Sequence, residues 1–142
     1  MQDIHPTVRF VIDLARIQAI LNRRFDSGLG GLGLSEFIIL LHLNEAGAAG
    51  MRRIDLAERI GLTASGVTRL LSPMEKIGLV KREANRDDAR SSLVMIAPGG
   101  KRKLEEGMEC AELLAEEIVP SEKKGEMKYV VSVLSAIRKE IG

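Results

Sequence analysis

Thirty residues in the middle of the chain, Ile54 to Glu83 (IDLAERIGLTASGVTRLLSPMEKIGLVKRE), leave little freedom for the fold. Apolar side chains at Leu56, Ile60, Leu62, Val67 and Leu70 recur at gaps of four, two, five and three, so two short helices share one core. The gap of two falls at Gly61, which takes a left-handed turn at no steric cost, and Ala57 is small where two helices cross closely. Thr63 directly follows the turn and is placed as an N-cap, its hydroxyl accepting from the backbone N–H of Ser65 or Gly66. Once Ala64, Val67, Leu70 and Leu71 are buried, Ser65, Thr68 and Arg69 are left on the free face of the second helix, in its first two turns. A helix-turn-helix presents its reading residues to base edges in this way. The candidate recognition set is therefore Thr63, Ser65, Gly66, Thr68 and Arg69. A helical hairpin in an ordinary core is the bland alternative, and it does not require residue type and spacing to agree at so many positions together.

Pro73 lacks an N–H and its ring crowds the carbonyl of Arg69, which predicts a bend in the second helix, not its end. Gly78 supplies the stop. Leu79 to Glu83 and Ser92 to Ile96 then read as two short strands separated by the polar stretch Ala84 to Ser91, a hairpin with a long tip. A helix-turn-helix running into such a hairpin is a winged helix. The wing's cations Arg82, Arg86 and Arg90 are candidate DNA contacts, with Arg86 and Arg90 placed over the neighbouring minor groove, whose narrow negative channel suits arginine.

Charge follows the same boundaries. From Met51 to Lys103 twelve Lys and Arg face six acids, net +6, whereas residues 1–50 carry −1 and residues 104–142 carry −4, so the formal +1 of the whole hides a polar molecule. A basic centre between acidic ends concentrates phosphate attraction on the winged segment and repels nucleic acid from the rest. Arg52 and Arg53, just before the first helix of the pair, are candidate phosphate contacts.

The 142 residues, 45% hydrophobic and 29% charged, suit a single well-buried domain or a compact domain in two lobes. The longest apolar stretch, Phe37 to Leu43 with His42 inside it, is far short of a membrane span, and Met-Gln-Asp-Ile-His-Pro has no signal-peptide pattern, so a cytoplasmic, membrane-free protein is expected. Cys110 is the only cysteine, which leaves no intrachain disulfide and no cysteine-rich zinc site. Leu34 to Glu45 is helical on length, with Ser35 as cap and Gly47 as stop. Val8 to Phe25 carries two adjoining apolar stripes, wider than one core needs. Pro98 to Ile118 is a further helix, and Pro120-Ser121 closes it and starts another that runs to about Ile141 with apolar residues on two sides. The expected architecture is mostly α with a small β-hairpin: a first helix and Gly-rich loop in residues 1–33, a winged helix-turn-helix lobe in 34–97, and paired helices in 98–142 that join the first as a dimerisation layer.

Other chemistry finds little footing. Gly28-x-Gly30-x-x-Gly33 matches a dinucleotide fingerprint formally but follows a helix, not a strand, and reads as an interhelical loop. His5 and His42 are far apart, and no HExxH, nucleophile elbow or carboxylate cluster at ligand spacing accompanies them, so neither an enzyme, a metal site nor a cofactor is expected. Arg9, Arg16 and Arg23 recur every seven residues as a solvated stripe, with Asp13 pairing to Arg16. Cys110, with Glu106, Glu109 and Glu112 near it in sequence, reads as packing and not as a sensor.

Four stretches carry a family resemblance: Leu56-Ala57-Glu58-Arg59-Ile60-Gly61-Leu62-Thr63, the reading segment Ser65-Gly66-Val67-Thr68-Arg69-Leu70-Leu71, Met74-Glu75-Lys76-Ile77-Gly78-Leu79-Val80-Lys81-Arg82, and the wing Asp88-Ala89-Arg90-Ser91. Together with the helical ends they make the whole chain resemble the MarR family of bacterial and archaeal transcription regulators. The resemblance implies a homodimer on double-stranded DNA at a pseudo-palindromic operator, usually repressing and often released by a small aromatic or anionic effector between the dimer layer and the DNA-binding lobe. Arg16 and His42 are the side chains assigned to that pocket, although His42 on its apolar helix also reads as a hydrogen-bonded boundary residue. In such proteins the wing aspartate holds an arginine two residues later at the minor groove, here Asp88 and Arg90. The chain departs from the pattern at Ala89, where arginine is frequent, at Met74 and Ala97, and at Arg52-Arg53, which replace a capping hydroxyl. It also lacks the first-helix cysteine of peroxide-sensing members.

Overall fold

The computed structural model describes residues 3–28, 31–88 and 90–142. Helices and a small sheet follow in the order α1 (Pro6–Gly28), α2 (Leu34–Ala46), β1 (Met51–Arg52), α3 (Arg53–Ile60), α4 (Ala64–Lys76), β2 (Val80–Ala84), β3 (Ser92–Ile96), α5 (Pro98–Ile118) and α6 (Met127–Ile141), with 3₁₀ turns at Gly47–Ala49 and Ser121–Glu126. The mostly helical architecture with a wing is the expected one. The sheet has three strands, though, in the order β1-β3-β2 and antiparallel throughout, because Met51 pairs with Val94 and Arg52 with Leu93. A strand of two residues shows no period to read, which is why only the hairpin is visible in the sequence. That hairpin is in register from Val80 opposite Ile96 to Ala84 opposite Ser92, one residue later on its first strand than its composition suggests.

Among the described residues, the fully buried large side chains, Ile39, Leu40, Leu43, Leu56, Val67 and Val94, lie where α2, α3, α4 and β3 converge. The same cluster takes in Phe25 from α1, Leu32, and Leu104 from α5, so the helical ends are rooted in the winged lobe's core. Phe25 and Phe37 meet as tilted rings with centroids 6.1 Å apart. Two glycines on α5 permit close approach: a Cβ on Gly107 would lie 2.8 Å from Cδ2 of Phe37, and one on Gly100 only 2.1 Å from the carbonyl oxygen of Leu79. The Leu79 carbonyl meanwhile accepts from the N–H of Ala97 at 3.0 Å, fixing the start of α5 against the entrance of the hairpin. Cys110 is half-buried and packs against this core.

Several local details differ from expectation. The N-cap of α2 is Gly33, not Ser35, and the Glu36 carboxylate accepts from the Gly33 N–H at 2.6 Å. Gly33 stands three residues before Glu36, the spacing at which a carboxylate reaches back to the N-cap N–H, whereas Ser35 is already inside the first turn. Gly47 ends α2 with φ of 60°, as its position suggests. The final helix begins at Met127 and not at Ser121, because Ser121 to Glu126 closes as 3₁₀, with Gly125 the one poor helix former in an otherwise helix-compatible SEKKGE sequence. Asp13 pairs with Arg9 at 3.8 Å, one turn back, instead of with Arg16, in keeping with the lean of helical side chains toward the N-terminus. Of the Gly28-x-Gly30-x-x-Gly33 loop, Gly30 lies outside the described residues, as does Ala89 of the wing.

Past Phe25 the picture at the ends changes. α6 buries none of its residues, and Val8, Val11 and Ile17 on α1, Leu113 on α5, and Tyr129, Val131 and Ile141 on α6 are all exposed.

Candidate nucleic-acid interface

The site begins with the turn between α3 and α4. Gly61 adopts φ of 73°, and Leu62 donates its N–H back to the Ala57 carbonyl at 3.0 Å, which closes α3 and swings the chain into α4. Thr63 is the N-cap: its hydroxyl accepts from the Gly66 N–H at 3.0 Å, and the Ser65 hydroxyl lies 3.2 Å from it. α4 then runs unbroken through Pro73 to Lys76, so the proline does not end the helix. Val67, Leu71 and Met74 are buried and Leu70 is half-buried, with Ser65, Thr68 and Arg69 exposed as the spacing requires; Ala64, expected in the core, is exposed at the first residue of the helix.

The wing stands beside this face, and its tip is organised by Asn85. Its amide donates to Ser91 Oγ at 3.0 Å while its Oδ1 accepts from the Asp87 N–H at 3.1 Å. Asp88 Oδ1 accepts from the backbone N–H of Arg90 at 3.0 Å, so the wing aspartate holds its arginine through the main chain and, among the described residues, leaves the guanidinium unengaged. Charge and period do not point to Asn85, Ser91 or Ser92, though an Asn two residues ahead of an Asp at a hairpin tip is a readable turn signal.

Helix-turn-helix and wing meet at a cleft of about 300 Å³ lined by Arg52, Arg53, Ser65, Thr68, Arg90 and Ser91, among others. It opens at the N-terminal end of α4, where the helix dipole and the cap region favour an anion. Arg53 donates to Thr68 Oγ1 at 3.2 Å, and Thr68 Oγ1 lies 3.0 Å from the Ala64 carbonyl, to which it donates. Arg52 forms a fork with Asp55, at 2.9 Å from Nε and 3.1 Å from Nη2. Those hydrogen bonds hold the Asp55 carboxyl below its ordinary range, and the guanidinium is raised mainly by the same bonds and the charge of Asp55.

The remaining candidates lie elsewhere. Arg69 and Arg86 are exposed and, among the described residues, have no hydrogen-bonding or ionic partner. Arg82 is bound to Glu75 at the end of α4, 3.0 Å from Nε to Oε2, which ties the base of the wing to the reading helix.

The two side chains assigned to an effector pocket are not brought together. His42 lines a separate open groove of about 1,090 Å³ bounded by α2, α3, the wing and the end of α6, and its Nδ1 is 4.0 Å from Glu45. Arg16 is exposed on α1 and does not line that groove. The charges of the groove balance, with Arg52, Arg59, Arg138 and Lys139 against Glu45, Asp55, Glu58 and Asp87. Among the described residues, no group of three or more His, Cys, Asp and Glu is placed to hold a metal ion, and no helix is long and apolar enough to cross a membrane.

Comparison with known proteins agrees with this geometry. Residues 32–92, from the approach to α2 through the wing, match the sequence profile of the MarR family. An uncharacterized HTH-type transcriptional regulator of Bacillus subtilis, YdgJ, is 23% identical over 130 residues, 90% of this chain and 76% of that protein. The transcriptional regulator BldR of Sulfolobus solfataricus superposes with a TM-score of 0.80 and 26% identity, over 96% of this chain and 99% of its own. The Mycobacterium tuberculosis regulator MOSR, solved in complex with DNA, superposes with a TM-score of 0.76 and 22% identity, over 92% and 94%. A family match across the winged lobe and a shared fold across nearly the whole length lead to one conclusion: residues 32–92 are a MarR-type winged lobe, and the whole chain is similar to transcriptional regulators built on that fold.

Proposed function

We propose that this protein binds double-stranded DNA as a homodimer at a pseudo-palindromic operator. The carrying observation is the cleft where Arg53 and Arg90 converge with Ser65 and Thr68 at the head of α4. Phosphate-binding cations on both sides of a polar helix face are what groove docking requires. A fold neighbour captured with DNA supports the same reading. The dimer is supported by the exposed apolar faces of α1, α5 and α6, which one copy leaves uncovered. An occupied operator that overlaps a promoter excludes polymerase, so repression is the expected outcome, and the protein acts in the cytoplasm where the chromosome lies. For a small aromatic or anionic effector, the groove beside His42, between the lobe and α6, is the site that we favour; its size and its position between the two parts support that reading.

Selection of bound duplexes from a random pool, followed by titration of the selected site with salt, tests the reading. Two half-sites, a stoichiometry of two chains and a steep loss of affinity with salt are expected, since each neutralised phosphate adds about 0.9 to the slope. A winged helix used only to bind another protein would give no selected sequence. An architectural binder without an effector would select DNA yet show no thermal stabilisation by any small aromatic acid.

A further inference from the structure

We propose that Thr68 reads a thymine through its methyl group, and that Arg53 is the positioning residue that commits the threonine hydroxyl inward. The inference rests on the DNA-binding reading above and adds to it which base one position recognises.

A threonine hydroxyl has one proton and two lone pairs. Arg53 Nη1 stands 3.2 Å from Thr68 Oγ1, and a guanidinium has no acceptor, so in that contact arginine donates and the hydroxyl accepts. The Ala64 carbonyl, 3.0 Å away, has no proton to give, so there the hydroxyl donates. Both directions follow from the chemistry of the partners. Thr68 is left with no donor, one lone pair and a methyl group on an exposed face of the reading helix. In the major groove N7 and O6 of guanine, N7 of adenine and O4 of thymine all require a donor, which Thr68 cannot supply while these bonds stand; its one lone pair could meet only the amino group of adenine or cytosine, and neither of those contacts would respond to loss of a thymine methyl. The apolar feature of that groove is the thymine 5-methyl, and a threonine methyl is a suitable contact for it. Arg53 spends one N–H on Thr68, and its other donors remain for a phosphate. The residue that grips the backbone thereby also sets the side chain that meets the base.

Deoxyuridine isolates the effect, because it lacks only the 5-methyl of thymine. The test uses the full-length protein and the duplex it selects, with each thymine replaced in turn by deoxyuridine. At one position per half-site the parent protein should bind the uracil duplex about three- to fivefold more weakly, which is what burying one methyl group supplies. Thr68→Val keeps the shape and the methyl and should keep that penalty. Thr68→Ser keeps the hydroxyl and should bind thymine and uracil duplexes alike. Arg53→Met should weaken binding in either background, but should shrink the thymine-to-uracil ratio only where position 68 is threonine, since valine has no hydroxyl to release. Circular dichroism checks that each variant folds.

A valine variant as indifferent to uracil as the serine variant would show that the hydroxyl does the reading, and would overturn the proposal. So would a parent protein that binds its selected duplex with no uracil-sensitive position. A parent protein that selects no duplex would instead overturn the DNA-binding reading itself.

Discussion

Arg90 is held through its backbone by Asp88 while its guanidinium, among the described residues, stays unengaged and lines the cleft, and this makes it the clearest candidate for a cationic contact in the wing. Arg90→Ala should weaken operator binding by roughly 1–3 kcal/mol and make the salt slope shallower by about one, read by titration at several ionic strengths. Arg82 carries the same charge but spends it on Glu75. Its alanine variant should change the slope less, and equal slopes for the two variants would place Arg82 on DNA after all. Arg69 has no partner among the described residues, so Arg69→Ala should cost about 1–3 kcal/mol, with relaxed sequence preference if the residue meets guanine. A uniform loss across operator variants would make it a phosphate contact. The Asp55 carboxyl, held down by the Arg52 fork, should titrate below an ordinary aspartate when followed by carbon NMR, and Arg52→Gln should return it to the usual range. The sign follows: a depressed native pKa means that the contribution of this pair to stability is complete above the ordinary value and fades as pH falls through the depressed one.

Among the elements, α3 and α4 can be read from the sequence nearly residue by residue, because a turn glycine, a capping threonine and period-matched apolar residues are all local signals. The cap of α2 and the start of α6 differ from the sequence reading for the converse reason. Gly33 caps through the neighbouring Glu36 carboxylate, and a 3₁₀ turn over Ser121 to Glu126 has the composition of an ordinary helix start. β1 is silent in the sequence because its only signal is its partner β3. Half of the candidate site is legible for the same reason: recognition residues share one helix face, but whether Arg82 faces Glu75 or DNA depends on how the hairpin sits over α4. The junction of α5 with the hairpin is equally invisible in sequence, since nothing local announces that Gly100 lies against the Leu79 carbonyl. Gly100→Ala should destabilise the fold by roughly 1–3 kcal/mol in denaturant melts, by overpacking, although alanine is the better helix former. A neutral or stabilising result would mean that this contact yields easily.

For the whole molecule, α6 exposes Tyr129, Val130, Val131 and Leu134 and buries nothing. Leu134→Glu should therefore leave the winged lobe folded by circular dichroism, yield a monomer by mass measurement, and lower operator affinity through loss of the effective concentration that joins two half-sites. A folded monomer with parent affinity for the full operator would refute the dimer. Helix α5 is held unevenly along its length. Its N-terminal half is seated without clearance, Gly100 on the hairpin entrance and Gly107 on Phe37, while its far half reaches out to an exposed Leu113 and Ile118. Mechanically this is a lever clamped at one end with no backlash. From Gly107, the outer edge of the clamp, to Ile118 the arm is roughly 16 Å long, so a swing of roughly 5° carries its tip roughly 1.4 Å. In the proposed dimer two such arms meet, and the angle between them sets the distance between the two reading helices. Preference for the spacing of half-sites can thus drift through substitutions along the outer arm, far from any base, while the residues that read each half-site stay as they are.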